Sequence, residues 1–246
     1  VKSYKDVQRL NVDLQVKAEA QFQIGKCYFR QSNYKTSIGE FRKVIRWYPE
    51  TRWAPEAQFM IGRAYFQAGD YNRALTEFDR IMTDFPSSGF IPRAVYAKAD
   101  CYYNLGEYEE AIQKYNHIIN EYPQSGLIDE AISGIQWSLV QQGKTKEALT
   151  FTEKYIQEYS GSDLAADLLL RKAELLFHLK NYDQALAAYR KLLNEYPDKK
   201  PAASAWYWIG ECWLNLNRID DAIDAFRQQV NNFEKDSYSA EALFKI

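Results

Sequence analysis

The chain has 246 residues, and its 31 Lys and Arg nearly balance 33 Asp and Glu, so it lacks the basic stripe that a nucleic-acid-binding surface needs. Hydrophobic residues make up 46% and charged residues 26%, which excludes a disordered chain; no apolar run approaches the roughly 20 residues of a membrane helix. Nineteen tyrosines stand beside only 11 glycines and 7 prolines, so helix breakers are scarce and the tyrosines need a systematic cause.

Self-similarity supplies that cause. The segment Ile24-Gly25-Lys26-Cys27-Tyr28-Phe29 returns 37 residues later as Ile61-Gly62-Arg63-Ala64-Tyr65-Phe66. The same step from Gly25 reaches Gly62, Ala99, Gln136, Ala173 and Gly210. From Ser37 it reaches Ala74, Ala111, Ala148, Ala185 and Ala222, and from Tyr48 it reaches Phe85, Tyr122, Tyr159, Tyr196 and Phe233. Six copies therefore run in register, over 18–54, 55–91, 92–128, 129–165, 166–202 and 203–239.

In chain order, Tyr4 and Val7 fall one period before Phe41 and Val44. Residues 1–17 thus read as the end of an upstream repeat or as one long leading helix. In the first copy, Ala20, Ile24, Cys27 and Tyr28 follow helical spacing, Gln31-Ser32-Asn33 breaks the pattern, and Tyr34, Ile38, Phe41, Val44, Ile45 and Tyr48 resume it. Asn33, Asp70 and Asn181 are placed to cap second helices, and Thr51, Ser88, Ser125 and Ser162 to cap the next first helices. Pro55 and Pro92 fall in first turns, where the missing N–H costs nothing, and the row of Pro49 stops the second helix. The fourth copy diverges: Gln136 replaces the row's Gly, Thr145 and Thr152 replace aromatics, and Gly134 enters its first helix at a cost of about 1 kcal/mol against Ala. It reads as drift, or as a softer joint with Trp137 as an anchor. Residues 240–246 open a seventh copy, since Ala242, Phe244 and Ile246 repeat Ala205, Tyr207 and Ile209. The chain starts at Val1 rather than Met and stops inside a copy, so a longer native protein is expected.

The second copy carries Ile61, Gly62, Tyr65, Gly69, Tyr71, Ala74, Phe78 and Pro86, and the third carries Tyr102, Gly106, Tyr108, Ala111, Tyr115 and Pro123. In these residues the chain resembles the tetratricopeptide-repeat family, whose usual period is about 34 residues. The resemblance implies an all-α right-handed superhelix of paired antiparallel helices, forming a single solenoid over 1–246. The longer turn Tyr122-Pro123-Gln124-Ser125 through Ala131 is similar to those of a bacterial envelope branch. That branch holds the BamD-like outer-membrane assembly lipoproteins and the Tol–Pal coordinator. It implies a periplasmic or outer-membrane-associated protein, with membrane attachment only through a partner or a lipid anchor outside this sequence. A cytoplasmic scaffold or regulator is the alternative, as is the adaptor portion of a larger enzyme or secretion subunit.

The residues themselves offer no chemistry. Cys27, Cys101 and Cys212 share one register two and three periods apart. That places them on the order of 20 Å apart or more at about 8–10 Å per helix layer, too far for a disulfide or a shared metal. They read as buried small hydrophobes, and unpaired thiols lean toward a reducing compartment. His117 and His178 lie off any common row, and there is no Gly-rich phosphate loop, HExxH or CxxC. No catalytic residue, metal, cofactor or small-molecule substrate is expected.

What remains is a binding wall. Phe22, Lys26 and Phe29 share one face of a first helix; stepping by 37 gives Phe59, Arg63 and Phe66, then Tyr96, Asp100 and Tyr103, with Trp137 in the fourth copy. The wall should be aromatic in its N-terminal half, and its central charge switches from Lys26 and Arg63 to Asp100, Glu174 and Glu211. A bipolar groove for a protein or peptide segment follows, since aromatic and Arg side chains are the usual hot spots. The competing reading is that the Phe29 row only packs against a neighbouring second helix. Phe22 and Lys26 stand where a carboxylate clamp of chaperone-binding relatives would need Lys and Asn, so a co-chaperone role is not expected.

Overall fold

The computed structural model describes residues 2–7, 12–233 and 236–246. Among them it holds fourteen α-helices, a short 3-10 turn and no strand. They fall into two compact units, Val1–Lys144 and Thr145–Ile246. The first contains α1 (Lys2–Val7), α2 (Leu14–Arg30), α3 (Tyr34–Trp47), α4 (Trp53–Gln67), α5 (Tyr71–Asp84), α6 (Ile91–Leu105), α7 (Tyr108–Glu121) and α8 (Ile128–Gln141). The second contains α9 (Thr145–Glu158), α10 (Asp163–His178), α11 (Tyr182–Glu195), the 3-10 turn Lys200–Ser204, α12 (Ala205–Asn215), α13 (Ile219–Asn232) and α14 (Ser237–Lys245). Inside each unit every helix packs on its successor in the chain, and in the first unit the first helices α2, α4, α6 and α8 also touch in sequence. The two readings of the N-terminal segment turn on residues 8–11, which lie outside the described residues.

The 37-residue rhythm has a backbone cause. Each second helix opens one period after the last, at Tyr34, Tyr71, Tyr108, Thr145, Tyr182 and Ile219. Two residues before each start stands a left-handed residue: Ser32, Gly69, Gly106, Gly143, Lys180 and Asn217, with φ between 56° and 79°. The residue after it donates its N–H, at 2.9–3.0 Å, to the carbonyl of Tyr28, Tyr65, Tyr102, Leu139, Leu176 or Trp213 respectively. This closes the first helix in the manner of a Schellman cap and reverses the chain in two residues. Three copies use glycine there; Ser32, Lys180 and Asn217 hold the same conformation against a side chain.

The side-chain caps follow expectation in part. Asn33 and Asp70 accept the N–H of Thr36 and Arg73 at 3.3 and 3.2 Å, and Ser162 accepts that of Ala165 at 3.2 Å. Asn181 makes no such bond. Ser88 and Ser125 accept from Phe90 and Leu127 two residues on, and Thr51 donates to the Tyr48 carbonyl. These three hold the turn instead of capping a helix. The first helices there begin three residues after Ser88 and Ser125 and two after Thr51, so the hydroxyl meets a loop N–H or a helix-end carbonyl.

The core repeats one contact. A Cβ on Gly25, Gly62 or Gly210 would stand 2.6, 2.5 and 2.5 Å from the ring of Phe41, Phe78 and Phe226. Each glycine is therefore the seat of a fully buried ring, worth about 1.5–3 kcal/mol of burial apiece. In the third copy Ala99 occupies the seat, and the ring of Tyr115 lies instead on Gly134 of α8, 2.4 Å from where a Cβ would be. Gly134, read in the sequence as part of the fourth copy's divergence, is thus a packing position for its neighbour.

Polar groups tie the copies together. Gln58 donates to the Glu77 carboxylate and its backbone carbonyl, both at 2.8 Å. Arg42 from the copy before and Arg80 from the same helix also reach that carboxylate, at 3.4 and 3.2 Å. Gln21 and Glu40 repeat the first pair one period earlier. Cys27, Cys101 and Cys212 carry free thiols, and burial pushes those of Cys101 and Cys212 up to about 12.

Candidate protein-binding groove

The first helices of the unit Val1–Lys144 enclose two adjoining cavities. One, of about 290 Å³, lies between α2 and α4 and is lined by Lys26, Phe29, Arg30, Glu56, Phe59 and Arg63, with Phe90 and Arg93 from α6 and the turn before it. The other, of about 410 Å³, lies between α4 and α6 and is lined by Phe66, Tyr96, Asp100 and Leu127 together with Phe59, Arg63 and Arg93. Phe59, Arg63 and Arg93 line both, so the two cavities adjoin along one face, each near the lower end of the roughly 300–1,000 Å³ range of ligand-binding clefts.

Lys26, Phe29, Phe59, Arg63, Phe66, Tyr96 and Asp100 of the expected wall are therefore brought together. Phe22 is not on it. The ring is fully buried between Phe41, 5.2 Å away, and Trp53, 5.0 Å away, and it meets the groove only through the Lys26 ammonium above it. Phe59 occupies the equivalent position yet stays half-buried, because Phe90 covers it where the larger Trp53 covers Phe22. Tyr103 and Trp137 line neither cavity. Tyr103 packs edge-on against Tyr108, and Trp137 is 51% exposed on α8.

The competing reading of the Phe29 row holds at the same time. Phe29, Phe66, Tyr103 and Phe177 each meet the tyrosine that opens their own second helix, with centroids 5.3–5.5 Å apart. One edge of Phe29 and Phe66 remains free for the groove, and the Arg63 guanidinium lies over Phe29 at 5.6 Å.

Arg30, Glu56, Phe90 and Arg93 were missed by row reading on a single face. Phe90 follows Trp53 by one period and Arg93 follows Glu56, so the opening turns of the first helices held the signal. With them the groove carries four cations, Lys26, Arg30, Arg63 and Arg93, against Glu56 and Asp100. Burial raises the Glu56 carboxyl, opposed by Lys26, Arg93 and Arg52. At the far end Asp100 accepts a 2.6 Å hydrogen bond from the Tyr115 hydroxyl. Burial outweighs that bond and a second from Tyr96, and its carboxyl is pushed up to about 6. The expected change of sign along the wall is present inside this unit, from Lys26 and Arg63 to Asp100.

Among the described residues no three His, Cys, Asp or Glu side chains gather as a metal site, and no helix is long and apolar enough to cross a membrane. Aromatic faces, fixed cations and one recessed carboxylate suit the arrangement to gripping a polypeptide side chain by side chain.

The paired helices, their left-handed turns and the small-residue seats define a helical-repeat interaction module. Models of the tetratricopeptide repeat match residues 19–51 and 59–126, and a model of anaphase-promoting complex, cyclosome, subunit 3 matches residues 139–229. The chain has the tetratricopeptide-repeat fold. A tetratricopeptide repeat protein from Parabacteroides merdae is similar over 99% of this chain and 90% of its own, at 17% identity and a TM-score of 0.57. Pseudomonas aeruginosa pilF is similar over 93% and 97%, at 16% identity and a TM-score of 0.54. The apo form of the quorum sensor NprR from B. thuringiensis is similar over 99% and 72%, at 14% identity and a TM-score of 0.60. At these identities the likeness is one of fold. No curated protein sequence matches the chain.

Proposed function

We propose that this protein is a non-catalytic interaction scaffold that holds an extended or helical segment of a partner protein in the groove of α2, α4 and α6. The observation that carries the reading is that two adjoining cavities share Phe59, Arg63 and Arg93, which sets aromatic faces and guanidinium groups side by side along one face. The favoured setting is assembly of the bacterial cell envelope, with the protein periplasmic or bound at the outer membrane. Support for that setting is the Tyr-Pro-x-Ser turn of the repeats.

A second reading, a cytoplasmic scaffold or regulator, is favoured by the three free cysteines, since unpaired thiols are commonest in reducing compartments. Fractionation of the native cells separates the two settings.

The groove is tested by exchanging Phe59→Ala and Arg63→Ala together and comparing the partners recovered by crosslinking in the native host. Loss of a partner that wild type retains, with the helical spectrum unchanged, is the expected result. Identical recovery from both proteins removes the groove as the site.

A further inference from the structure

The fifth copy breaks two rows at once. Position 176 belongs to a row reading Tyr28, Tyr65, Tyr102, Leu139, Leu176, Trp213, and position 188 to one reading Glu40, Glu77, Lys114, Phe151, Ala188, Ala225. Among the six copies the fifth alone has a non-aromatic residue in the first row together with alanine in the second. Leu176 and Ala188 form a buried floor, 2% and 6% exposed. An open trench of about 610 Å³ lies between α9 and α11, floored by α10, on the second-helix side of the unit Thr145–Ile246.

Its shape is that of a missing helix. On α9 the lining runs from Lys146 to Gln157, a span of about 16 Å or three turns at 1.5 Å per residue. On α11 it follows one face from Gln184 to Lys191. Apolar side chains lie along the middle: Leu149 and Ile156 from α9, Leu169 and Leu176 from α10, Ala187 and Ala188 from α11. Three helical stripes facing one empty slot is the geometry of helix-in-groove recognition. The charged positions are one-sided. Lys146, Lys172 and Lys191 line the trench against a single carboxylate, Glu153. Lys172 stands where four other copies carry isoleucine and pairs with Glu153; Lys191 meets Glu195 at a loose 3.8 Å. The trench is thus net positive on a chain whose overall charge is −2.

We propose that this trench is a second docking surface, separate from the groove of the first unit, and that its occupant is an amphipathic helical segment of a partner protein with an apolar stripe flanked by carboxylates. Apolar side chains of the segment lie along the trench over the floor at positions 176 and 188, and its carboxylates meet Lys146 and Lys191.

The test uses the whole chain and a labelled helical peptide of about 14 residues, with leucines along one face and glutamates on both flanks, followed by fluorescence anisotropy. Leu176→Tyr with Ala188→Phe installs side chains that sister copies carry at the same positions and leaves the charge unchanged. It is expected to weaken the peptide by more than about tenfold. Lys146→Gln with Lys191→Gln, both at the solvent edge, is expected to weaken it by about tenfold and to flatten its salt dependence, and this variant carries the test if the filled one fails to fold. Phe59→Ala with Arg63→Ala is expected to bind like wild type. The proposal is overturned if wild type does not bind the peptide, if a lysine-flanked peptide binds as well, or if the filled variant binds equally. It is also overturned if the groove variant loses the peptide, or if wild type self-associates in sedimentation and the filled variant does not, since a second copy is then the occupant.

Discussion

Gly39 and Gly134 both stand inside helices, α3 and α8, and alanine at the two should shift stability in opposite directions. By helix propensity alone each substitution gains about 1 kcal/mol. At Gly39 nothing lies within 4 Å of the new Cβ, so that gain should be realised. At Gly134 the Cβ would meet three ring atoms of Tyr115 at 2.4–2.7 Å, well inside the 3.4–4 Å of ordinary contact. The ring is 3% exposed and its hydroxyl is anchored to Asp100 at 2.6 Å, so it cannot step aside freely. Overpacking of a filled core costs about 1–3 kcal/mol. Lengthening a hydrogen bond to a charged group puts a further 1.5–3 kcal/mol or so at risk. After the helix gain is subtracted, Gly134→Ala should lose roughly 1.5–5 kcal/mol. Urea unfolding followed by far-ultraviolet circular dichroism measures both. A Gly134→Ala midpoint raised as far as that of Gly39→Ala would refute the account of Gly134 as the seat of Tyr115.

Asp100 makes stability depend on pH in a predictable direction. Its folded carboxyl titrates at about 6 against an ordinary 3.8, so between those values the folded chain holds a proton that the unfolded chain lacks. Stability from this group falls as pH rises from 4 to 6, by roughly 3 kcal/mol in total, and is flat above. Thermal melts of Asp100→Asn should lack that component, and equal slopes in the two proteins would contradict it. Glu77→Ala removes one of the two acceptors of the Gln58 amide and releases the half-exposed Arg42 and Arg80; a loss of about 1–2 kcal/mol in urea unfolding is expected. Lys180→Gly relieves a left-handed residue at φ 61° and should raise the unfolding free energy by up to about 1 kcal/mol, whereas Asn181→Ala, which removes no cap bond, should leave it nearly unchanged.

Several features were legible because they are local or strictly periodic. Asn33 and Asp70 cap helices that begin one residue later, and the Gly25, Gly62 and Gly210 row marks rings sixteen residues further on in the same copy. Legibility ended where a residue at the start of the next first helix decides the outcome. Phe22 and Phe59 share a row, yet one is sealed and the other lines the groove, because the covering side chain is Trp53 in one case and Phe90 in the other. Arg93 joins the groove from the opening turn of α6, off the face that row reading follows. Asn181 has the right chemistry for a cap and makes no bond, since nothing in its composition shows where its amide points.

By itself the amino-acid sequence determined the helix pairing, the period and the residues each copy turns toward its neighbours, because equal spacing returns the same atoms to the same place in every hairpin. Only the tertiary structure decided where the stack is imperfect. The groove at Phe59 goes with a difference in the covering ring between successive copies, Trp53 over Phe22 and Phe90 over Phe59. Whether such a difference closes up or stays open depends on packing from several helices at once, which no single row of residues contains.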